Sequence, residues 1–214
     1  MEFTGFPPEA LDFYEGLEVH NDRAYWTEHR DTYQRCVKEP MEALLAGLEP
    51  EFGAGRLFRP YRDTRFSADK SPYKTHQGAV VSRGEGTVGG WFVQVSADGL
   101  FAGGGFGFSH TPEQVQRLRR AVDDDVVGMT LQRLVDTLRN DGYEIGGDTL
   151  KTRPRGYPAD HPRIELLRHR TLWAVKRWAP GPDLHSSAAS ELVRQVWRSV
   201  RPLLDWLDEH VGPA

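Results

Sequence analysis

The chain of 214 residues, with 38% hydrophobic and 27% charged side chains, has the composition of a globular protein that can bury a core without disulfides or metals. A single cysteine, Cys36, excludes an internal disulfide, and the first residues lack the basic and apolar pattern of a secretory signal. No run approaches the roughly 18 consecutive apolar residues of a membrane helix, so we expect a cytoplasmic protein that does not enter the membrane.

The first 50 residues predict helices. Two prolines before an acidic stretch favour a short helix over 9–17. Asn21 or Asp22 can cap the next helix, which Pro40 interrupts before helical spacing resumes over 41–48. Large side chains recur in that second helix at helical spacing: Tyr25, Trp26, His29, Tyr33 and Val37. Helical periodicity predicts burial, so we interpret this stripe as core packing rather than a stacking platform.

Prolines and glycines organise the middle of the chain. Pro60 and Pro72 exclude a continuous helix, which predicts a loop or short edge strand there. Strand-like runs over 78–82, 90–96 and 99–108, with a turn at Ala97-Asp98-Gly99, predict an antiparallel meander. Glycines 103, 104, 105 and 107 lie in the last run, where they favour a bulge or close backbone contact. A dinucleotide site is not expected, because no helix opens inside this glycine run.

The C-terminal part of the chain predicts further helices. The first begins with a capping residue, a proline at the first helical position and a glutamine soon after: Thr111, Pro112 and Gln114. A second amphipathic helix follows Gly128, and another covers 187–211 with a kink or division at Pro202. These patterns together predict one α+β domain over 1–214, with a central antiparallel sheet flanked by N-terminal and C-terminal helices.

The net charge of −4 conceals two basic segments. Residues 1–55 hold 4 basic and 12 acidic side chains, whereas the first basic segment, residues 56–76, holds 6 basic and 2 acidic ones. The second basic segment, residues 151–177, holds 8 basic and 2 acidic side chains. Two basic segments in an otherwise acidic chain favour local recognition of an anion over binding of nucleic acid or membrane across a broad basic surface. The alternative is two solvated surfaces.

The first basic segment has the residue types of an anion site. Its candidate ligands for an anion are Arg59, Arg62, Arg65, Lys70 and Lys74, interleaved with the aromatic residues Tyr61, Phe66 and Tyr73. Guanidinium groups match the paired oxygens of carboxylate or phosphate, and a proline-pinned loop loses less entropy on binding. The alternative is structural, since an arginine can instead pair with Asp63 or Asp69.

The second basic segment is also pinned by prolines. Arg153 and Arg155 are its candidate anion ligands, with Tyr157, Asp160 and His161 as supporting residues. If the fold joins the two segments, their cations would surround one pocket, and their mutual repulsion would require a bound anion or interleaved acids. Spacing alone does not establish that the segments meet.

Two motifs carry a resemblance to a known family. The stretch from Phe58 to Thr75, reading FRPYRDTRFSADKSPYKT, resembles the long motif of the domain-of-unknown-function 2461 family. Pro154-Arg155-Gly156-Tyr157 followed by Asp160-His161-Pro162 resembles its second motif, and the likeness extends over about 3–178. The resemblance implies a compact α+β protein and leaves its activity open.

Other candidate constellations are weaker. His161, Glu165 and His169 share a face only on a continuous helix, whose rise would separate the outer pair by roughly 12 Å, too far for one metal ion. We therefore expect no metal site. His76 and Asp63 flank the cationic segment and are candidates for proton transfer. Ser67 and Ser71 lack a nucleophile elbow, and Cys36 lacks a cationic setting that would lower its pKa.

Three hypotheses follow for function. The first is a pocket that binds, and can process, a phosphorylated or carboxylated small molecule, with Tyr61, Tyr73 and Tyr157 against its organic part. The second is nucleic-acid binding, with Phe66, Tyr73 and Tyr157 stacking on bases, which the acidic net charge disfavours. The third is a structural or partner-binding domain whose arginines form buried salt bridges. We favour the first; the residues identify neither a cofactor nor an oligomeric state.

Overall fold

The computed structural model describes residues 2–65, 68–107 and 110–212. The chain forms two compact units, each built from separate stretches. Unit 1 contains Met1–Val81, Phe92–Ala102 and Arg177–Gln195, and unit 2 contains Ser82–Trp91, Gly103–Lys176 and Val196–Ala214. That the whole chain is a single domain stays a prediction.

The strands form an antiparallel sheet, which confirms the predicted α+β class. Within the described residues it has six strands in the order β1-β2-β3-β4-β6-β5. The strands are β1 (Gly55–Leu57), β2 (His76–Ser82), β3 (Gly90–Ser96), β4 (Gly99–Phe106), β5 (Glu144–Gly146) and β6 (Leu172–Trp178). The predicted meander corresponds to β2, β3 and β4, which are neighbours in sequence order. The last residue of the predicted third strand, Phe108, lies outside the described residues.

The N-terminal helices of unit 1 follow the predicted order with one difference. They are α1 (Glu9–Val19), α2 (Arg23–Glu28), the short α3 (Arg30–Thr32), a π-helical segment (Tyr33–Lys38) and α4 (Glu39–Phe52). Asp22 is the capping residue of α2, since its carboxylate accepts a hydrogen bond of 2.9 Å from the Tyr25 N–H. Pro40 does not end a helix. It occupies the first turn of α4, where a backbone N–H would have no acceptor within that helix, so proline is tolerated there.

The aromatic stripe of these helices packs into the core of unit 1, as predicted. Trp26 and Tyr33 are buried, and the Phe13 ring lies 5.8 Å and 5.7 Å from theirs. Tyr33 donates a hydrogen bond of 2.7 Å to Gln77 on β2. Burial raises the pKa of Tyr33 to about 12, so its hydroxyl stays protonated and keeps this bond to the sheet.

The glycines of β4 permit close backbone approach, as the sequence predicts. A Cβ at Gly103 would lie 2.3 Å from the Ala174 carbonyl oxygen on β6. Gly105 has a φ of +156°, and a Cβ there would lie 2.4 Å from the Leu172 oxygen. Only glycine therefore fits at either position beside β6.

The helices of unit 2 begin with the predicted capping box. Helix α5 (Pro112–Asp123) starts at Thr111, whose hydroxyl accepts from the Gln114 N–H while the Gln114 side chain accepts from the Thr111 N–H. It is followed by α6 (Val127–Asn140) and the short α7 (Ile164–Leu167). The long helix α8 (Ala188–His210) is continuous, so the predicted division at Pro202 is wrong. No helix among the described residues is long and apolar enough to cross a bilayer.

Candidate functional site

The described residues of the first basic segment, which leave out Phe66 and Ser67, pair in the manner of a hairpin loop. Tyr61 and Tyr73 form an antiparallel bridge, and two backbone hydrogen bonds flank it: Arg62 N–H to the Pro72 oxygen at 2.9 Å and Lys74 N–H to the Pro60 oxygen at 2.8 Å. Pro60 and Pro72 take part through their carbonyl oxygens, so their lack of an N–H costs this pairing no hydrogen bond. The pairing confirms the predicted loop and holds its cationic side chains on a fixed backbone.

The loop is anchored to the helices of unit 1 through Tyr73. The Asn21 side chain exchanges two hydrogen bonds of 3.0 Å with the backbone of Tyr73. The Tyr73 ring is 5% exposed and stacks on Trp26 with centroids 4.3 Å apart. Tyr73 therefore supports the loop from beneath, and its buried ring cannot pack against a ligand. Tyr61, 51% exposed, remains accessible.

Several cations of the loop are engaged by its own oxygens. Arg65 forms a two-pronged ion pair with Asp63, with N–O distances of 2.7 and 3.0 Å. Arg62 pairs with Asp69, and Lys70 donates to the Thr64 carbonyl oxygen at 2.9 Å. These pairs confirm the expected pairing with the two aspartates. They lie at the surface, so these two pairs are not the buried salt bridges of the structural alternative.

The two aspartates are fixed as carboxylates. Hydrogen bonds from the hydroxyl and N–H of Ser71, together with the Arg62 side chain, lower the pKa of Asp69 to about 2. The Arg65 side chain and N–H lower the pKa of Asp63. Asp63 is therefore ionised at neutral pH and poorly suited to donate a proton.

Four basic side chains lie together in what we call the cation cluster: Arg59, Lys74, His76 and the Asp69-paired Arg62. Burial and then the charge of Arg59 lower the pKa of Lys74. Burial, Lys74 and then Arg62 lower the pKa of His76, which favours the neutral imidazole at pH 7. Among the described residues, no carboxylate lies within ion-pair distance of Arg59 or Lys74. The cluster is a local excess of positive charge.

A row of half-buried phenylalanines, the phenylalanine row, lies beside the cluster. It consists of Phe58 after β1, Phe92 on β3 and Phe101 on β4. Ring centroids are 6.1 Å apart for Phe58 and Phe92, and 5.5 Å apart for Phe92 and Phe101. The Lys74 ammonium lies 5.2 Å from the centre of the Phe58 ring. This row was not predicted from the sequence. A signal was present, because Phe92 alternates with buried Trp91 and Val93 and so belongs to the other face of β3.

The second basic segment lies in unit 2 except for its last residue, Arg177, and is partly engaged by its own backbone. The Arg153 guanidinium donates to the Tyr157 carbonyl oxygen, whereas Arg155 and Asp160 are exposed. Burial and then the charge of Asp123 raise the pKa of Tyr157. Because the two basic segments belong to different units, a pocket that contains both stays a prediction.

His161 has a structural role in unit 2. Its Nδ1 accepts from the Arg163 N–H at 3.0 Å, so its Nε2 carries the proton and faces the Asp123 carboxylate at 3.2 Å. Arg163, which the sequence analysis did not select, is buried. Its guanidinium donates to the carbonyl oxygens of Val122, Asp123 and Asp124 at the end of α5, at 2.7, 3.0 and 3.3 Å.

The weaker constellations do not form a site. Glu165 pairs with Arg168, and His169 Nδ1 contacts the Thr171 oxygen at 2.9 Å. The described part of the chain holds no cluster of three or more histidine, cysteine or acidic side chains suited to a metal ion. Burial raises the pKa of the Cys36 thiol, which disfavours the thiolate as predicted.

Comparison with known proteins adds the family. No curated protein and no solved structure shows significant similarity to the chain. A family model described as "Conserved hypothetical protein (DUF2461)" matches residues 9–206. The match includes both basic segments and reaches beyond the 3–178 range of the motif resemblance into helix α8. It covers nearly the whole chain, which therefore belongs to the DUF2461 family.

Proposed function

We propose that the protein binds a phosphorylated or carboxylated small molecule at the cation cluster of unit 1. The observation that carries the proposal is the position of Arg59 and Lys74 near each other, with no carboxylate of the described residues within ion-pair distance of either. Asp63 is near enough for the Arg59 charge to help lower its pKa, but its carboxylate is held by Arg65. Burial lowers the pKa of Lys74, and the repulsion from Arg59 lowers it further. A bound anion would relieve this repulsion, so the free energy of binding includes its removal.

The backbone of the loop supports the proposal. The hydrogen bonds of Arg62 and Lys74 with the two prolines hold both residues in place before a ligand arrives. A site ordered in advance loses less conformational entropy on binding. The guanidinium group of Arg59 supplies a planar fork for two oxygens, and the Lys74 ammonium supplies a compact charge.

The cations of the first basic segment are not equivalent in this proposal. Arg65 is held by Asp63 and Lys70 by a carbonyl oxygen, so we expect both to contribute less than Arg59 and Lys74. Arg62 can turn to the anion only by sharing or leaving Asp69. The exposed ion pairs also weaken the structural alternative, because surface pairs contribute little to stability.

The cytoplasm remains the expected location, since the one thiol, Cys36, is free and buried.

Isothermal titration calorimetry with pyrophosphate, ribose 5-phosphate and citrate tests the proposal. We expect at least one of them to bind, and Arg59→Ala or Lys74→Ala to weaken that binding about tenfold or more, because each removes a charged hydrogen bond. Arg65→Ala should have a smaller effect.

The matched control is Arg35→Ala. Arg35 is an exposed arginine of the same unit that pairs with Asp31, so this variant removes the same charge away from the cluster. Equal affinity in Arg59→Ala, Lys74→Ala and Arg35→Ala would contradict the proposal, as would the absence of binding by all three compounds.

A further inference from the structure

We infer that the ligand is a nucleotide, with its phosphate on the cation cluster and its base on the phenylalanine row. The inference rests on the proposed function and adds the chemical class of the ligand. It depends on two observations that an anion site alone does not require. The phenylalanine row lies beside the cation cluster, and the Lys74 side chain contacts both.

The phenylalanine row offers a surface for a planar ring. All three rings are half-buried, and Phe58 and Phe92 are tilted by 33° with centroids 6.1 Å apart. Phe101 meets Phe92 edge to face at 5.5 Å and lies under the Arg177 guanidinium at 4.4 Å, so the Phe58–Phe92 pair supplies the stacking surface. Aromatic groups on adjacent strands of a sheet bind bases because every base has a π-face. Tyr73 cannot take this role, since its ring is covered by Trp26.

Glycine at position 78 allows the row to form. Gly78 lies on β2, between the strands that carry Phe58 and Phe92. A Cβ there would lie 3.1 Å from the Phe58 ring and 3.2 Å from the Phe92 ring. With no side chain at Gly78, the two rings meet across β2 and form a continuous surface.

Lys74 joins the cation cluster to the phenylalanine row. Its ammonium group lies 5.2 Å from the Phe58 centroid, and its pKa is lowered by burial and then by the Arg59 charge. Arg56 also lies over Phe58, at 5.5 Å. When the anionic group of a ligand binds the Lys74 ammonium, the organic part of that ligand can therefore reach the rings. Cations above aromatic rings can also stack on a base.

The charge of the chain favours a single nucleotide over a nucleic-acid polymer. The net charge is −4, and residues 1–55, which share unit 1 with the cluster, hold 12 acidic against 4 basic side chains. A polymer would extend its phosphates beyond the few cations of the cluster, in a unit whose first 55 residues carry three times as many acidic as basic side chains. One nucleotide matches the cluster and the row together.

Calorimetric titration with matched ligands tests the inference. The four nucleoside 5′-monophosphates are compared with ribose 5-phosphate, which differs from them only by the missing base. We expect at least one nucleotide to bind about tenfold more tightly than ribose 5-phosphate, and Phe92→Leu to remove that difference. Ribose 5-phosphate binding to Phe92→Leu should equal the wild-type value, which shows that the variant is folded and keeps its anion site.

Each other outcome contradicts a distinct claim. Equal affinity for nucleotides and ribose 5-phosphate, or a nucleotide preference that survives Phe92→Leu, would overturn the inference and leave the anion site intact. A single-stranded RNA octamer that binds more tightly than every mononucleotide would overturn the choice of a small ligand. Failure of all phosphates to bind would overturn this inference, and failure of citrate as well would overturn the proposed function.

Discussion

At the scale of single residues, a buried arginine completes the end of a helix. Arg163 is 7% exposed and donates to the last carbonyl oxygens of α5, which have no partners within the helix. A positive charge at a helix C-terminus is also favoured by the helix dipole. The second basic segment therefore contains one cation whose role is structural and whose charge is fully used inside unit 2.

Replacing Arg163 by methionine should destabilise the protein by about 3 kcal/mol, because buried carbonyl groups lose their donors. Urea unfolding followed by circular dichroism measures this change in the free energy of unfolding. The control is Arg155→Ala in the same segment, an exposed residue for which we expect a change within about 0.5 kcal/mol. Equal stability of the two variants would show that Arg163 does not hold the helix end.

At the scale of elements, glycines in helices have opposite effects according to their surroundings. Gly128 lies at the start of α6, where a Cβ would be 2.1 Å from the Val122 oxygen and 2.7 Å from the Arg163 guanidinium. Gly47 lies inside α4 with nothing within 4 Å of the same position. The first glycine is required by contact between helices, and the second only lowers the stability of its helix.

Alanine at these two positions should therefore change stability in opposite directions. We expect Gly128→Ala to destabilise by about 1–3 kcal/mol, because the methyl group must displace backbone. Gly47→Ala should stabilise by about 0.5–1 kcal/mol through better helix propensity. Thermal and urea unfolding of both variants measure the two changes. A gain in stability for Gly128→Ala would contradict the close contact at the end of α5.

At the scale of the whole molecule, local signals in the sequence predicted the fold well. Asp22 and Thr111 cap helices because a capping bond depends on residues a few positions apart. The π-helical segment Tyr33–Lys38 was not predicted, since its apolar positions also fit an ordinary helix. Of the kink or division predicted at Pro202, the division is wrong, because the helix continues through this residue.

The candidate site was only partly predictable for a physical reason. Sequence composition identified the cations, but the conformation of the loop decides that Asp63 holds Arg65 while no carboxylate of the described residues lies within ion-pair distance of Arg59. The phenylalanine row joins residues from distant parts of the chain, and its formation depends on strand order and on Gly78 between the rings. Such arrangements follow from tertiary pairing rather than from local spacing.

The protonation of His76 links the site to the stability of the whole protein. Its folded pKa lies below the ordinary value of 6.5. Below that pH the unfolded chain binds a proton that the folded protein resists, so the stability of the free protein should fall as the pH drops through this range. His169, whose pKa is also lowered by burial, should add to the loss. A bound anion favours the charged imidazole, so anion binding should strengthen over the same pH range.

An NMR pH titration of the His76 ring protons, with and without saturating pyrophosphate, tests the central claim most directly. The His76→Gln spectrum assigns the resonance. We predict that His76 titrates below its ordinary pKa in the free protein and that pyrophosphate raises this pKa, because an anion replaces the repulsion from Lys74 and Arg62. A His76 that titrates identically with and without pyrophosphate would contradict an anion site at this cluster.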